Sequence, residues 1–150
     1  MRDYFSLDQL DRRSLAALCR VCHSFKDVAL DMLWAELEDL HPLFPVFHEI
    51  YGLALEIHSY TLRRPVTIVE WSIFEQYASR VRVLGDGSSI FGDLEAEFVH
   101  TIMGLTSKLL LPNLRELCCG DCDPDLHACV RYFLSPVLIS FQVSASARPD

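Results

Sequence analysis

The sequence lacks long apolar runs: no window approaches the roughly 20 consecutive apolar residues that a membrane-spanning helix needs. The first residues, Met1 to Phe5, also lack the apolar stretch and the small-residue cleavage site of a secretory signal. We therefore expect a cytoplasmic or nuclear protein without a membrane partner. In these reducing compartments the six cysteines are expected to remain free thiols.

Basic residues are also scarce. Thirteen Lys and Arg residues stand against 21 Asp and Glu residues, which gives a net charge of -8. A nucleic-acid surface needs clustered cations to displace counterions from phosphates, so we predict no nucleic-acid partner. Apolar residues make up 51% of the 150-residue chain, a globular composition that can supply the core of one domain or of two small units.

Catalytic motifs are missing as well. The sequence contains no G-x-S-x-G, H-E-x-x-H or kinase signature. The loop at Gly85–Ser89 has neither the glycine spacing of a dinucleotide-binding turn nor the lysine of a P-loop. We therefore predict no catalytic residues, no cofactor and no enzymatic activity.

Two C-x-x-C pairs form the main alternative to this non-catalytic interpretation. Cys19 with Cys22, and Cys119 with Cys122, have the spacing of zinc-binding thiolates. The two pairs are far apart in the sequence, and the first lies on the apolar face of a predicted helix, where cysteine acts as a small apolar side chain. We predict no metal ligands, and a cysteine-based metal-binding or thiol protein remains an alternative hypothesis.

The first 40 residues have helical periodicity. Asp11 is a candidate N-cap for a helix that extends to Cys22, and Ser24 is a candidate N-cap for a second helix. The predicted apolar faces consist of Leu15, Leu18, Cys19 and Cys22 in the first helix and Phe25, Val28, Ala29, Met32, Leu33 and Leu37 in the second, with Trp34 beside them. The two predicted helices form an αα-hairpin.

The middle of the chain begins where Pro42 and Pro45 interrupt the helical pattern. The segment Ala54–His58 then alternates weakly, as a short strand does. Thr67 and Glu70 match a capping box and predict a helix. Its inward-facing residues are expected to be Trp71, Phe74, Tyr77 and Ala78.

The remaining sequence alternates between strands and helices. Strands are predicted over Arg80–Leu84, Leu111–Leu117 and Val137–Val143. Helices are predicted over Asp93–Leu105, with Leu94, Phe98, Ile102 and Leu105 in register, and over Asp125–Leu134, with Asp123 as N-cap and Pro124 in the first position. This alternation is typical of a curved α/β solenoid.

The order of these motifs resembles that of a fungal F-box protein. The matching residues are Leu10–Leu15, Arg20–Cys22, Phe25, Ala29–Leu30 and Leu33–Trp34 for the second and third F-box helices; Arg64–Pro65, Trp71, Phe74, Tyr77–Ala78 and Arg80–Leu84 for the linker; and Leu111–Leu117 and Phe133–Pro136 further on. In that group a leucine-rich solenoid follows.

The resemblance implies an α+β chain in three parts. Residues 1–45 would form an F-box-like helical module, 46–105 a linker with helices and a short strand, and 106–150 a leucine-rich-repeat-like strand–helix–strand unit. The implied function is a substrate-recruiting adaptor of an SCF (cullin) ubiquitin ligase. Its helical module would dock on the Skp-type adaptor of that ligase, and its solenoid would bind an unknown protein substrate.

The residues implied for docking on the adaptor are Leu15, Leu18, Val21, Cys22, Phe25 and Trp34. Helix-in-groove interfaces rely on aliphatic and aromatic anchors of this kind. The same residues could instead fill the seam between the two helices. For Leu18 and Cys22 we favour the seam, because any helix pair must bury one stripe; for Trp34 the two roles are evenly balanced.

The sequence departs from the F-box pattern in two places. The Leu-Pro-x-Glu opening of the first F-box helix is absent, and Tyr4–Leu7 stands near its position. Only one repeat-like unit precedes Pro149 and Asp150, so we expect a truncated solenoid in which Val137–Val143 is an uncapped edge. A scaffold or binding protein with a non-functional F-box remnant is therefore the first alternative.

Overall fold

The computed structural model describes residues 9–21, 23–47, 65–106, 108–120 and 124–143. These ranges contain four α-helices, two 3₁₀ segments and four short strands that form one parallel sheet. The chain is therefore a mixture of helix and sheet, as the sequence predicts. The predicted strand at Ala54–His58 and the predicted N-cap Asp123 lie outside the described residues.

The chain begins with the helices α1 (Gln9–Val21) and α2 (His23–Trp34), which pack against each other as a hairpin. Asp11 and Ser24 lie inside these helices, so their assignment as N-caps is wrong. Gln9 and Leu10, both good helix formers, extend α1 past Asp11 on its N-terminal side. The predicted hairpin itself is present.

A short strand, β1 (Glu36–Leu37), follows α2 and precedes a 3₁₀ segment at His41–Phe47. The sequence pattern placed Leu37 in the second helix instead. The carbonyl of Ala35 accepts hydrogen bonds from the backbone N–H groups of Arg82 and Val83 at 2.8 and 2.9 Å. These bonds direct the chain into a strand, and their donors lie far away in the sequence.

Helix α3 (Ile68–Ala78) has the predicted capping box. Thr67 Oγ1 accepts from the Glu70 N–H at 3.3 Å, and the Glu70 carboxylate accepts from the Thr67 N–H at 2.8 Å. Phe74 and Ala78 are fully buried, and Trp71 and Tyr77 pack against the core. The prediction is confirmed for both the start of the helix and its inward face.

The sheet has the order β1, β2 (Val83–Leu84), β3 (Glu116–Cys119), β4 (Ser140–Val143), and all neighbours are parallel. The strands predicted over Arg80–Leu84, Leu111–Leu117 and Val137–Val143 are present but shorter than expected, and β3 begins later and ends two residues later than predicted. One row of register partners crosses the sheet at Leu37, Leu84, Leu117 and Phe141. The first three are buried, whereas Phe141 is 49% exposed, so the core ends at β4.

Helix α4 (Ala96–Gly104) and a second 3₁₀ segment (Pro124–Phe133) connect the later strands. Leu94, Phe98 and Ile102 are buried as predicted. Leu105 is exposed because α4 has already ended, so its predicted inward position is wrong.

An α-helix was predicted over Asp125–Leu134, but the type of helix is wrong. The segment has 3₁₀ winding, in which side chains three residues apart share one side. Leu126 and Cys129 have this spacing and are both buried.

The apolar core is one continuous cluster that extends from Leu37 to Phe133. None of the α1 residues whose burial the structure describes is buried, and in α2 only Ala29 is buried. The hairpin therefore stands outside the main core, with its apolar side chains still largely available.

Candidate functional site

The most distinctive surface is on the hairpin. Five large apolar side chains are exposed there: Leu18 at 46%, Val21 at 83%, Phe25 at 59%, Val28 at 59% and Met32 at 51%. We call these residues the hairpin apolar surface. Val21 ends α1 and Phe25 lies in the first turn of α2, so the surface includes the corner between the helices.

The helical period explains why these residues are grouped. Phe25, Val28 and Met32 are spaced i, i+3 and i+7, which places them on one stripe of α2. Leu18 and Val21 have an i, i+3 spacing at the end of α1. Several large exposed apolar side chains on one element are typical of a protein-binding site.

The other residues predicted for docking lie in different environments. Leu15 is half-buried in α1, and Cys19 beside it is also half-buried. Cys22 lies outside the described residues. The structure thus leaves Leu18, Val21 and Phe25 on the exposed surface and places Leu15 partly inside.

Trp34 lies at the end of α2 and packs against the core cluster. Its ring centroid is 4.9 Å from that of Tyr77 on α3, with an interplanar angle of 44°. This contact joins the hairpin to the sheet and the helical segments packed on it, which we call the body of the protein. Of the two roles considered for Trp34, docking on a partner and packing within the protein, this position favours packing.

Arg80 holds the hairpin at a second point. Its guanidinium donates to the Asp27 carbonyl oxygen and to Asp27 Oδ1, both at 3.1 Å, and also to the Asp31 carboxylate. Burial of the Arg80 side chain opposes its charge, but hydrogen bonds and the charges of Asp31 and Asp27 outweigh burial and raise its pKa. Arg80 therefore stays charged and fixes α2 relative to α3.

A third contact comes from α1, where Arg12 Nη2 donates to the Glu36 carbonyl oxygen at 3.2 Å. Together with Arg80 and Trp34, it connects the hairpin to β1 and α3. No local sequence pattern predicts these contacts, since Arg80 and Asp27 are 53 positions apart and Arg12 and Glu36 are 24 apart. Val28 and Met32 could have been added to the docking set from their spacing to Phe25.

One cysteine, Cys129, lies beside a histidine, and this raises the question of thiol chemistry. Cys129 Sγ lies 3.6 Å from His100 Nδ1, a pair that connects α4 with the second 3₁₀ segment. Burial raises the pKa of Cys129, with a smaller opposing effect from Arg131. The thiol is therefore neutral near pH 7, which does not suit it to act as a nucleophile.

Two searches bear on metal and membrane sites. Across the residues that the structure describes, no three His, Cys, Asp or Glu side chains are grouped so that they could hold a metal ion. Within the same ranges, no helix is both long and apolar enough to cross a membrane.

Comparison of the chain with models of known protein families, with curated proteins and with solved structures finds no match.

Proposed function

We propose that this chain is a non-catalytic protein–protein interaction adaptor of the F-box type. The hairpin apolar surface docks on the Skp-type adaptor of an SCF ubiquitin ligase, and the sheet-containing body recruits a protein substrate. The observation that supports this function is the exposure of Leu18, Val21 and Phe25 on one helical hairpin.

The energetics favour a partner on this surface. Fully burying an aliphatic or aromatic side chain is worth about 1.5–3 kcal/mol, and several such anchors on a rigid element give a stable helix-groove interface. The contacts of Arg80 and Trp34 hold the hairpin in one orientation, which lowers the ordering cost of binding.

The arrangement of the body supports the second half of the proposal. Four parallel strands lie in sequence order, each separated from the next by helical or 3₁₀ segments. Leucines at equivalent register positions, Leu37, Leu84 and Leu117, form the buried row. This is the pattern expected for the start of a leucine-rich solenoid.

The test is a pulldown of purified chain with purified Skp-type adaptor. A Val21→Asp, Phe25→Asp double variant should bind about 100-fold more weakly or worse, because it places charges where two anchors are buried. Both side chains are well exposed in the free chain, so the variant should remain folded. Trp34 is unsuitable for this test because its ring packs against the core.

Ile139→Asp provides the matched control. Ile139 is 80% exposed, like Val21, but lies just before β4 at the other end of the sheet. Binding that survives Ile139→Asp and is lost in the double variant supports the proposal. If the folded wild-type chain does not bind, the scaffold function, in which the F-box-like module no longer engages the adaptor, takes its place.

A further inference from the structure

A pocket of about 830 Å³ lies on the body of the protein, and none of its lining residues belongs to the hairpin. Its walls come from the end of α3, the segment before β3 and the end of the second 3₁₀ segment. The lining residues that matter here are Glu75, Ser79, Lys108, Leu110, Arg131 and Tyr132. The volume is within the range of about 300–1,000 Å³ that is usual for ligand sites.

Hydrogen bonds fix the walls relative to one another. The Leu110 N–H donates to the Tyr132 carbonyl oxygen at 2.9 Å, which ties the segment before β3 to the 3₁₀ segment. The Ser79 carbonyl accepts from Arg82 Nη1 and from Asn113 Nδ2, both at 2.8 Å. The pocket is therefore preformed rather than a gap between loosely packed loops.

Two cations line the pocket in a strongly acidic chain. Arg131 Nη2 donates to the Tyr132 hydroxyl at 3.1 Å, and its guanidinium lies 4.9 Å from the centre of that ring. These contacts position the guanidinium without neutralising it. Among the described residues, neither Lys108 nor Arg131 has an ion pair with a carboxylate.

The third charged group of the pocket, the Glu75 carboxylate, limits where the negative charge of a ligand can lie. Glu75 Oε1 accepts from Trp71 Nε1 at 3.0 Å, so its carboxylate is held on the α3 wall. A negative charge close to Glu75 is repelled, whereas one between Lys108 and Arg131 is attracted. Leu109, Leu110 and Pro112 supply an apolar surface on the same wall as Lys108.

We propose that this pocket binds a short peptide segment of a partner protein, with one acidic side chain beside an apolar one. The carboxylate pairs with Lys108 and Arg131, and the apolar side chain packs on Leu109 and Pro112. This inference rests on the substrate-recruiting half of the proposed function and gives it a site, but it does not depend on docking of the hairpin, because none of the pocket residues belongs to the hairpin.

The experiment is fluorescence anisotropy with a capped peptide that carries a neutral fluorophore and one glutamate between phenylalanine and leucine. The wild-type chain should bind it, and either Lys108→Gln or Arg131→Gln should weaken binding about tenfold, the change for the loss of 1.4 kcal/mol. Both side chains lie at the surface, so circular dichroism should show unchanged folding.

Two controls make the result specific. Arg13→Gln removes an exposed cation on α1 and should leave the affinity unchanged, as should the Val21→Asp, Phe25→Asp variant used for the hairpin. A peptide with glutamine in place of glutamate should bind about tenfold more weakly, by the same reasoning. Free octanoate, which has the carboxylate and an apolar tail without a peptide backbone, is titrated directly into the chain by isothermal titration calorimetry.

The outcomes separate clearly. Glutamate-dependent binding that both cation variants reduce supports the proposal. Absence of binding by the folded chain, equal affinity for the glutamine peptide, or insensitivity to both cation variants would overturn it. Binding of octanoate without binding of the peptide would also overturn it, and would assign the pocket to a small carboxylate instead.

Discussion

Gly85 lies where the loop after β2 crosses the end of β3, and its φ is +92°. A Cβ atom added there would meet the Cys118 carbonyl oxygen at 1.9 Å. Gly85→Ala should therefore destabilise the fold by about 3 kcal/mol or more, since it adds both backbone strain and a collision with main chain. Urea unfolding measures the difference.

Gly104 is the matched control for this substitution. It is the last residue of α4, and a Cβ there would meet no atom within 4 Å. Gly104→Ala should be neutral or stabilise the protein by up to about 1 kcal/mol, because alanine loses less backbone entropy in a helix. Equal effects at the two positions would contradict the close approach of the loop to β3.

Arg80 offers a prediction about the junction between the hairpin and the body. Arg80→Gln removes its bonds to Asp27 and Asp31, whose carboxylates are exposed. The expected cost is about 1 kcal/mol, the upper end for ion pairs with solvent-exposed partners, and it should shrink in high salt. Arg13→Gln should stay within about 0.5 kcal/mol of wild type. A salt-independent or absent effect of Arg80→Gln in urea unfolding would show that the Arg80 ion pairs do not stabilise the junction.

Asp86 provides a pH-dependent prediction at the same loop. Hydrogen bonds from the Ser88 hydroxyl and from the Ser88 N–H lower the pKa of the Asp86 carboxyl below its usual 3.8. A lowered pKa favours the folded state above pH 3.8, and this contribution is lost as the pH falls through the folded-state pKa. In Ser88→Ala the pKa should move up toward 3.8, as followed by NMR titration of the carboxyl carbon. An unchanged titration would show that the bond from the Ser88 hydroxyl does not persist in solution.

At the scale of single elements, α3 shows what local sequence determines. Thr67→Ala removes the acceptor for the Glu70 N–H and should cost about 1 kcal/mol. Ser72→Ala, an exposed position on the same helix, should be close to neutral. Chemical denaturation of both variants tests this, and a loss as large for Ser72 as for Thr67 would argue against the capping box.

The capping box was predictable because all of its atoms lie within four residues. Strand β1 was missed because Leu37 continues the apolar pattern of α2, and only its pairing with Leu84 makes it a strand. The predicted helix over Asp125–Leu134 had the correct place, but its 3₁₀ winding is not visible in an apolar pattern that fits both periods.

The hairpin apolar surface also shows what a local sequence pattern cannot predict. The periodicity correctly placed Phe25, Val28 and Met32 on one face, but it could not tell whether that face is covered. Exposure depends on where the body holds the hairpin, and Trp34 and Arg80 set that position through partners on α3 or just beyond its end. Side-chain contacts between residues about 50 positions apart cannot be predicted from a local periodic pattern.

At the scale of the whole molecule, the end of the sheet at β4 is the remaining feature with a measurable consequence. β4 pairs with β3 on one side, and among the described strands none pairs with its other side. Residues 135–143 contain no charged side chain, and Ile139 and Val143 are 80% and 65% exposed. Charged residues usually protect such edges from pairing with other chains.

We therefore expect the chain to bind a hydrophobic dye and to self-associate with rising concentration, because no described strand pairs with this edge and its apolar side chains are exposed. Ile139→Lys with Val143→Lys should reduce both effects without loss of stability, since each side chain is already exposed. The Val21→Asp, Phe25→Asp variant should lower dye binding but leave self-association through β4 in place.

Dye fluorescence and size-exclusion chromatography at several concentrations measure the two effects. A sharp, cooperative melt of a monomer that binds no dye would contradict this prediction and mean that the β4 edge is protected in solution.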